Sequence, residues 1–356
     1  MPSVLLHAKG YGQTYPFFNA VKAKGRCKMI QIFETKGKAL VELDAEFGKK
    51  MNLKNKWIHL ENPTDREIEL IERVTGVSED MLKAALDEEE RARIELDEGD
   101  TLVLFDVPII EDDEEARYFS YSTMPIGVIT TQNCVVTVCL KENSIISNLM
   151  NNRIRNLDTA KRKRFVYQML YSTHVKFLQY LRQIDRSSQR IQAELHRSTK
   201  NKELIQLFDL ENSLVYFSTS LRANSIIIER LIRLDDKNVE EDTELLDDVA
   251  IENRQALDMC NIYRDILSGT MDTYASVISN NLNIIMRLLT ALTVIISIPT
   301  LFASFWGMNT GVPFQGEVYG FWIVVGISTI AAAISGYFLL RSKKSYKKDK
   351  TNKHKK

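Results

Sequence analysis

The sequence predicts an α/β N-terminal cytosolic domain, followed by a long α-helical stalk and two C-terminal transmembrane helices. Three observations indicate this fold class: alternating apolar runs in the first 150 residues, the lack of proline between Pro125 and Pro299, and two uncharged apolar segments near the C-terminus. We expect an α/β domain at 1–150, long helices at 151–287, transmembrane segments at 288–308 and 318–340, an outer loop at 309–317 and a basic tail at 341–356.

Short apolar runs alternate with polar residues in the first domain, and this period of two is typical of strands. Strands are predicted at 29–33, 39–43, 57–60, 101–105, 124–130 and 134–139. Helices are predicted at 64–74, after the start signal Asn62-Pro63-Thr64, and at 78–86. Two longer helices should run from Lys161 to about Leu234, with a turn near 198–201.

Charge is distributed unevenly, although the 47 basic and 47 acidic side chains balance. Residues 341–356 carry nine Lys or Arg and one Asp, and 288–340 carries only Glu317, which leaves 38 basic and 45 acidic residues in 1–287. The N-terminal apolar run, residues 4–6, is too short for the core of a signal peptide, so we expect the first domain to stay in the cytosol. The four cysteines lack CxxC spacing, and we expect them to be reduced.

Motifs of common enzymes do not occur in the sequence. It has no phosphate-binding glycine loop, no nucleophile elbow and no zinc-ligand spacing among its five histidines and four cysteines. We therefore expect neither an enzyme nor an organic cofactor, and no nucleic-acid partner.

The segment 288–308 has 21 residues without a charge, and at 1.5 Å per residue it spans about 30 Å, the thickness of a bilayer core. A short connector containing Glu317 leads to 318–340, a further 23 uncharged residues with Tyr319, Phe321 and Trp322 at the start. The basic tail that follows places both termini in the cytoplasm by the positive-inside rule. We expect a multi-pass protein of the cell membrane, with the lipid bilayer as one partner.

The stretch from about Asp242 to Asn309 is compatible with a single helix on the order of 100 Å long. Alternating steps of three and four residues select one face, with the 3.5-residue period of a supercoiled bundle. That face comprises Asp272, Ser276, Ser279, Asn283, Met286, Thr290, Thr293, Ser297, Thr300, Ser304 and Gly307. The side chains in its membrane part are small, and nearly all of them carry a hydroxyl group. Two explanations are open: packing between membrane helices, or a pore lined by several copies of this helix.

The tetrapeptide Trp306-Gly307-Met308-Asn309 at the end of the first span resembles the signature of the CorA family of divalent-cation channels. The resemblance extends to Pro299-Thr300, to the second span with its basic tail, and to 263–269 (YRDILSG) in the stalk. In the N-terminal half it is limited to layout and to 87–95 (DEEERARIE). It implies a funnel-shaped homopentameric channel, so the further partners would be copies of the same chain.

The resemblance also implies roles for individual residues. Selectivity at the outer end would come from Gly307, Met308 and Asn309, with the Asn309 side chain and the Gly307 carbonyl meeting the incoming ion. The pore lining below it would comprise Asn283 and Thr300 as polar rings and Met286 and Leu289 as a hydrophobic constriction. To these the helical face described above adds Thr290, Thr293, Ser297 and Ser304 as pore-lining residues. Asp272 and Asp248 would bind regulatory Mg²⁺ between subunits.

Two positions depart from the family pattern. Ser297 stands where some members carry a bulky Met, which predicts a wider or wetter pore at that level. Ala84 stands where we align an acidic partner for the inter-subunit site, and Asp80, Asp87 and Glu88 are the nearby substitutes.

Oxygen ligands without charge suit Mg²⁺, which demands octahedral coordination and gives up its waters reluctantly. The hydroxyl face has no carboxylate within the bilayer, so it offers weak sequential sites. We expect Mg²⁺ uptake, with Mg²⁺ as both the transported and the regulatory ion, and poor discrimination against Co²⁺ and Ni²⁺ because no soft ligand is present. One alternative is the same architecture transporting mainly Zn²⁺, Co²⁺ or Ni²⁺; a more distant one is a membrane-tethered scaffold or signalling protein.

The stretch 235–252 holds nine acidic residues against one Lys. A solvated acidic surface is one interpretation. The other is that this stretch, the basic tail and inter-subunit Mg²⁺ neutralise one another and close the channel when internal Mg²⁺ is high.

Overall fold

The computed structural model describes residues 30–37, 39–43, 52–97, 99–113, 118–197, 201–234, 240–311, 313 and 318–353. The chain divides into two units, Met1–Ser268 and Gly269–Lys356.

A seven-stranded sheet forms the centre of the first unit. Its strands in chain order are β1 Ile30–Lys36, β2 Ala39–Leu43, β3 Lys56–Glu61, β4 Arg93–Asp97, β5 Asp100–Asp113, β6 Tyr118–Thr130 and β7 Cys134–Cys139. They lie in the spatial order β2-β1-β3-β7-β6-β5-β4. Only the pair of β3 with β7 is parallel among the described strands, with Trp57 opposite Val135 and Leu60 opposite Val138.

Helices cover both faces of this sheet. One face packs against α1 Asp65–Thr75, α2 Glu79–Lys83 and the short 3₁₀ helix Ala84–Leu86. The other face packs against α3 Ser144–Met150, α4 Arg162–Arg197, α5 Asn201–Leu234 and the first turns of α6 Glu240–Trp306. Neighbouring residues of one strand therefore enter different cores, as Trp57 and Ile58 do.

Side-chain hydrogen bonds fix the helices to the sheet and end them at defined residues. Asn224 of α5 accepts from the backbone N–H of Asp106 and donates to its carbonyl, both at 2.9 Å. Thr64 and Glu67 form a capping box at the start of α1, and Gly76 ends that helix with a φ of +81°. Asn143 caps α3, where its Oδ1 accepts from the N–H groups of Ile145 and Ile146.

Two helices make up most of the second unit. The remainder of α6 extends to Trp306, and α7 comprises Val318–Lys353. Pro299 lies inside α6 without ending it. Because proline has no N–H, it cannot donate to the carbonyl of the residue four positions earlier, Ile295.

The architecture predicted from the sequence is confirmed: an α/β domain, a long helix and two C-terminal apolar helices. All six predicted strands are present, two of them (39–43 and 134–139) at the predicted bounds and the other four reaching beyond them on at least one side, and α6 is continuous through Gly269. Met29, at the start of the first predicted strand, lies outside the described residues. The prediction missed β4 and α3, and the helix expected at 78–86 is divided into α2 and a 3₁₀ turn. The helix α7 continues beyond 340 to Lys353, through most of the basic segment. Residues 198–200 of the expected turn and Cys27 lie outside the described residues.

Candidate ion pathway on α6 and the outer loop

Two helices are long and apolar enough to cross a membrane, at Asp242–Trp306 and Tyr319–Leu339. Only 6% and 11% of their most apolar windows is buried inside the chain. An apolar helix in the core of a soluble protein would be mostly buried, so the exposure of these windows favours a surrounding of lipid or of further chains.

One side of α6 faces α7. Ala291 is 8% exposed. Ile295 packs against Gly336 of α7, where a Cβ atom added to the glycine would lie only 3.1 Å from the Ile295 Cδ1. On α7, Gly320, Ser328 and Gly336 are the buried residues among those described. Small residues of this kind let two membrane helices approach closely.

The hydroxyl face of α6, which we define as Thr290, Thr293, Ser297, Thr300 and Ser304, is exposed throughout. At 100° per residue it is centred about 180° from the side formed by Ala291, Ile295 and Phe302. The second helix of the chain therefore leaves this face free. The sequence left two explanations open for the small hydroxyl residues, helix packing and a pore lining. Packing against α7 does not explain them.

Each of four hydroxyls on this face donates to the backbone carbonyl four residues earlier. The oxygen-to-oxygen distances are 2.8 Å for Thr290 to Met286, 2.9 Å for Thr293 to Leu289, 2.7 Å for Ser297 to Thr293 and 3.0 Å for Thr300 to Ile296. A hydroxyl has one donor and two acceptor lone pairs. With the donor engaged inside the helix, the outward side of each oxygen acts only as an acceptor, which suits a cation or the protons of its hydration waters.

The helix ends at the tetrapeptide 306–309. The Gly307 N–H donates to the Ala303 carbonyl at 2.9 Å, and the Met308 N–H donates to the Phe305 carbonyl at 3.4 Å in a tighter final turn. The Trp306 Nε1 donates to the carbonyl of Pro313 at 3.1 Å. Gly307, Met308 and Asn309 are all exposed. Glu317 lies outside the described residues.

The residues expected at the constriction are exposed on the same helix. Met286 is 58% exposed and Leu289 is 54% exposed, and Asn283 precedes them by one and two turns. Large apolar side chains at this exposure are costly in water. Their position is compatible with contact between copies of α6 around an axis.

The two expected regulatory residues are both exposed on α6, Asp248 in the first unit and Asp272 in the second. Among the described residues, no group of three or more His, Cys, Asp or Glu side chains could hold a metal ion within one chain. Ala84 is buried in the 3₁₀ helix. Of its suggested substitutes, Asp80 and Asp87 are exposed, and Glu88 forms an ion pair with Lys141 at 2.9 Å.

Comparisons with known proteins support the sequence resemblance. Residues 52–344 match the family model of the CorA-like Mg²⁺ transporter protein. The cobalt/magnesium transport protein CorA of Methanocaldococcus jannaschii is 28% identical over 301 residues, which are 80% of this chain and 90% of that protein.

Two solved structures share the fold. The complete structure of the CorA magnesium transporter from Methanocaldococcus jannaschii has a TM-score of 0.75 at 24% identity, covering 89% of this chain and 99% of that one. The full-length CmaX protein has a TM-score of 0.64 at 17% identity, covering 88% and 96%. Because the family model spans most of the chain, the family is shown, and its members are transporters and not enzymes. The chain belongs to the family of CorA-like Mg²⁺ transporter proteins.

Proposed function

We propose that this chain is one subunit of a homopentameric channel that admits Mg²⁺ into the cytoplasm, and that also passes Co²⁺ and Ni²⁺. The observation that carries the proposal is the hydroxyl face of α6, which is exposed, lies opposite the side that packs on α7 and leads to Asn309. Two spans cannot enclose a pore. Several copies of α6 around one axis would turn the hydroxyl face into a series of oxygen rings.

The outer ring would receive the ion in its hydrated form. The Asn309 amide oxygen and the Gly307 carbonyl are neutral acceptors at the exposed end of α6. Neutral acceptors hydrogen-bond the waters of Mg²⁺ without stripping them, which matters because Mg²⁺ dehydrates reluctantly. The oxygens of Thr300, Thr293 and Thr290 would then provide weak successive sites, so that the ion can also leave.

The cytoplasmic end of the pathway would be a hydrophobic constriction. Met286 and Leu289 place large apolar side chains next to the polar Asn283. A narrow apolar ring can lose its water and stop conduction without a physical plug. Binding of Mg²⁺ at Asp272 and Asp248 between subunits would favour this closed state when internal Mg²⁺ is high.

The orientation proposed from charge places both termini in the cytoplasm of a cell-membrane protein. Nine basic residues follow the second span, and the helix that carries most of them continues to Lys353. The connector between the spans would then face outward.

Cobalt is the second candidate substrate, and one observation favours it. The oxygen groups of the described ion pathway are hydroxyls, amides and carbonyls, and its only sulfur atoms are the weakly binding thioethers of Met286 and Met308; no thiolate or imidazole is described there to separate divalent ions by softness. The relative from Methanocaldococcus jannaschii is named for both cobalt and magnesium transport.

Flux into liposomes that contain the purified full-length chain tests the proposal. The wild type should conduct Mg²⁺, the Asn309→Ala variant should conduct at least tenfold less, and Co²⁺ should compete. Asn281→Ala is the matched control, because it removes the same carboxamide from a position on α6 that points away from the hydroxyl face. Flux of Zn²⁺ without flux of Mg²⁺ would preserve the architecture and overturn the substrate, whereas no cation flux at all would overturn the channel.

A further inference from the structure

A cavity of about 200 Å³ lies in the first unit between α3, the loop that follows it, and α4. It is separate from the helix face and the outer loop described above. Its apolar wall comes from Ile145, Ile154 and Val175, and polar side chains converge on it from the other sides. An apolar wall with a few convergent polar groups is the usual composition of a small-molecule site.

Two cationic side chains line this cavity. Lys176 comes from α4, and Arg153 comes from the loop after α3. The Arg153 backbone N–H donates to the Asn148 carbonyl at 3.0 Å, and its Nη1 donates to the Asn148 Oδ1 at 3.4 Å. These bonds hold the guanidinium at the rim of the cavity, next to an amide that lines it too.

The ammonium group of Lys176 is partly buried and has no anion beside it. Its Nζ lies 4.9 Å from the ring centroid of Tyr180, which compensates only part of the lost hydration. None of the described carboxylates forms an ion pair with it, and burial alone lowers its pKa. A cation in this position is stabilised when an anion enters the cavity.

The donors around the cavity match an oxyanion. The guanidinium of Arg153 is a planar fork that fits two phosphate oxygens, and Lys176 supplies a second charge. Gln179 adds an amide donor on the α4 side, whereas the Ser172 hydroxyl that also lines the cavity donates to the Gln168 carbonyl at 2.7 Å. The volume corresponds to about seven water molecules at ~30 Å³ each, which is enough for a phosphate or diphosphate group and too small for a whole nucleotide.

We propose that this cavity is a binding site for a phosphate oxyanion, either free diphosphate or the phosphate end of a larger ligand. Lys176 and Arg153 carry the charge recognition, and Asn148 and Gln179 donate hydrogen bonds. The site lies beside α6, because Tyr171 of its lining is also close enough to Glu252 and Asp248 for their charges to raise its pKa, after the larger effect of burial.

Equilibrium dialysis of the full-length protein with labelled pyrophosphate, in buffer with EDTA and without Mg²⁺, tests the proposal. The wild type should bind saturably with one site per chain. Lys176→Met, which keeps the aliphatic stem, and Arg153→Gln, a change at an exposed position, should each weaken binding at least tenfold. Lys161→Met is the matched control, since Lys161 immediately precedes α4 and the change removes the same charge about 22 Å from Lys176.

The two sources of the phosphate group are separated by competition. ADP that displaces pyrophosphate at similar concentration would identify the phosphate end of a nucleotide, and displacement by pyrophosphate alone would identify the free ion. The site would be overturned if the wild type and both variants bound pyrophosphate equally. It would also be overturned if Lys161→Met weakened binding as much as Lys176→Met and Arg153→Gln do. So would the lack of saturable binding by the wild type. The readout does not depend on transport.

Discussion

The indole Nε1 of Trp306 donates to the carbonyl oxygen of Pro313 at 3.1 Å, and Met308 and Asn309 lie between these two residues in the chain. This bond connects the last residue of α6 to Pro313, in the middle of the outer loop. It therefore ties the end of α6 to the outer loop. In the proposed channel, the same bond would position the Asn309 amide at the outer mouth.

Replacing Trp306 by Phe should therefore reduce Mg²⁺ flux by about fivefold while leaving the folded protein intact. The variant keeps an aromatic ring but loses a hydrogen bond, a loss of about 1 kcal/mol. Flux into liposomes measures the effect. Trp322→Phe is the control, because Trp322 is an exposed aromatic residue at the start of α7 with an edge-to-face contact to Phe321. Equal flux in both variants would contradict a positioning role for Trp306.

Thr300→Val should reduce Mg²⁺ flux by about tenfold, equivalent to ~1.4 kcal/mol at the barrier. The change keeps the branched shape but removes an acceptor oxygen from every copy of the proposed ring. Thr329→Val on α7 is a matched control, since the Thr329 hydroxyl also donates to a carbonyl four residues earlier, at 2.7 Å to Val325. If Thr300→Val conducts like wild type and Thr329→Val, the hydroxyl face does not line the pathway.

Mg²⁺ should protect the wild-type protein from proteolysis, and the double variant Asp272→Ala with Asp248→Ala should lose this protection. Both carboxylates are exposed and would bind the ion together with groups of a neighbouring subunit. Limited proteolysis with and without Mg²⁺ provides the measurement. Asp247→Ala, which removes the adjacent exposed carboxylate, should behave like wild type. Protection that survives in the double variant would exclude these residues as the regulatory site.

Stability should fall between pH 6.5 and pH 4 in part because of His174. Its side chain is fully buried, and its Nδ1 donates to the Leu170 carbonyl at 2.7 Å. Burial lowers its pKa to about 4, against the smaller opposing effects of hydrogen bonds to Leu170 and Asn253. Below pH 6.5 the unfolded chain binds a proton that the folded chain does not. Protonation therefore stabilises the unfolded state, and the free energy of unfolding decreases. At pH 5 this effect lowers the free energy of unfolding by about 2 kcal/mol.

His174→Asn should reduce the loss of stability between pH 7 and pH 5 by about that amount, because Asn retains a donor for the Leu170 carbonyl but does not titrate. Chemical denaturation of the detergent-solubilised protein at both pH values measures the difference. His59, which is also buried with a pKa lowered to about 3, contributes equally to both proteins. An unchanged pH dependence in the variant would contradict the assignment.

Much of the architecture was predictable because the elements follow simple periods. Strand β7 is a short, mostly apolar run that is buried throughout, and the four central residues of the adjacent β3 are buried as well. The hydroxyl face was predictable from steps of three and four residues, since helix geometry alone places those positions together. Strand β4 was missed because only Ile94 and Leu96 are apolar among its five residues. Helix α3 was missed because seven residues give too little periodicity to separate it from a loop.

The finer features of the site depend on contacts that a local pattern does not encode. The bond from Trp306 to Pro313 requires the loop conformation, although the tryptophan and the proline were visible in the sequence. The direction of the Thr and Ser donors, toward the helix carbonyls, requires the side-chain rotamers. The sequence alone indicates only that Lys176 is a basic residue on a helix. The packing of α3 against α4 is what places it in a cavity.

The central claim is that the hydroxyl face of α6 lines a water-filled path for Mg²⁺. Cysteine substitutions made one at a time at Thr293, Ser297 and Ile298 test it most directly. Each variant is treated with a membrane-impermeant cationic thiol reagent during flux measurements. Wild type is the control for the four native cysteines, of which Cys134, Cys139 and Cys260 are buried and Cys27 lies outside the described residues. We predict that Thr293→Cys and Ser297→Cys are blocked, whereas Ile298→Cys, on the side toward α7, and wild type are not. Block of Ile298→Cys alone, or of none of the three variants, would contradict the claim.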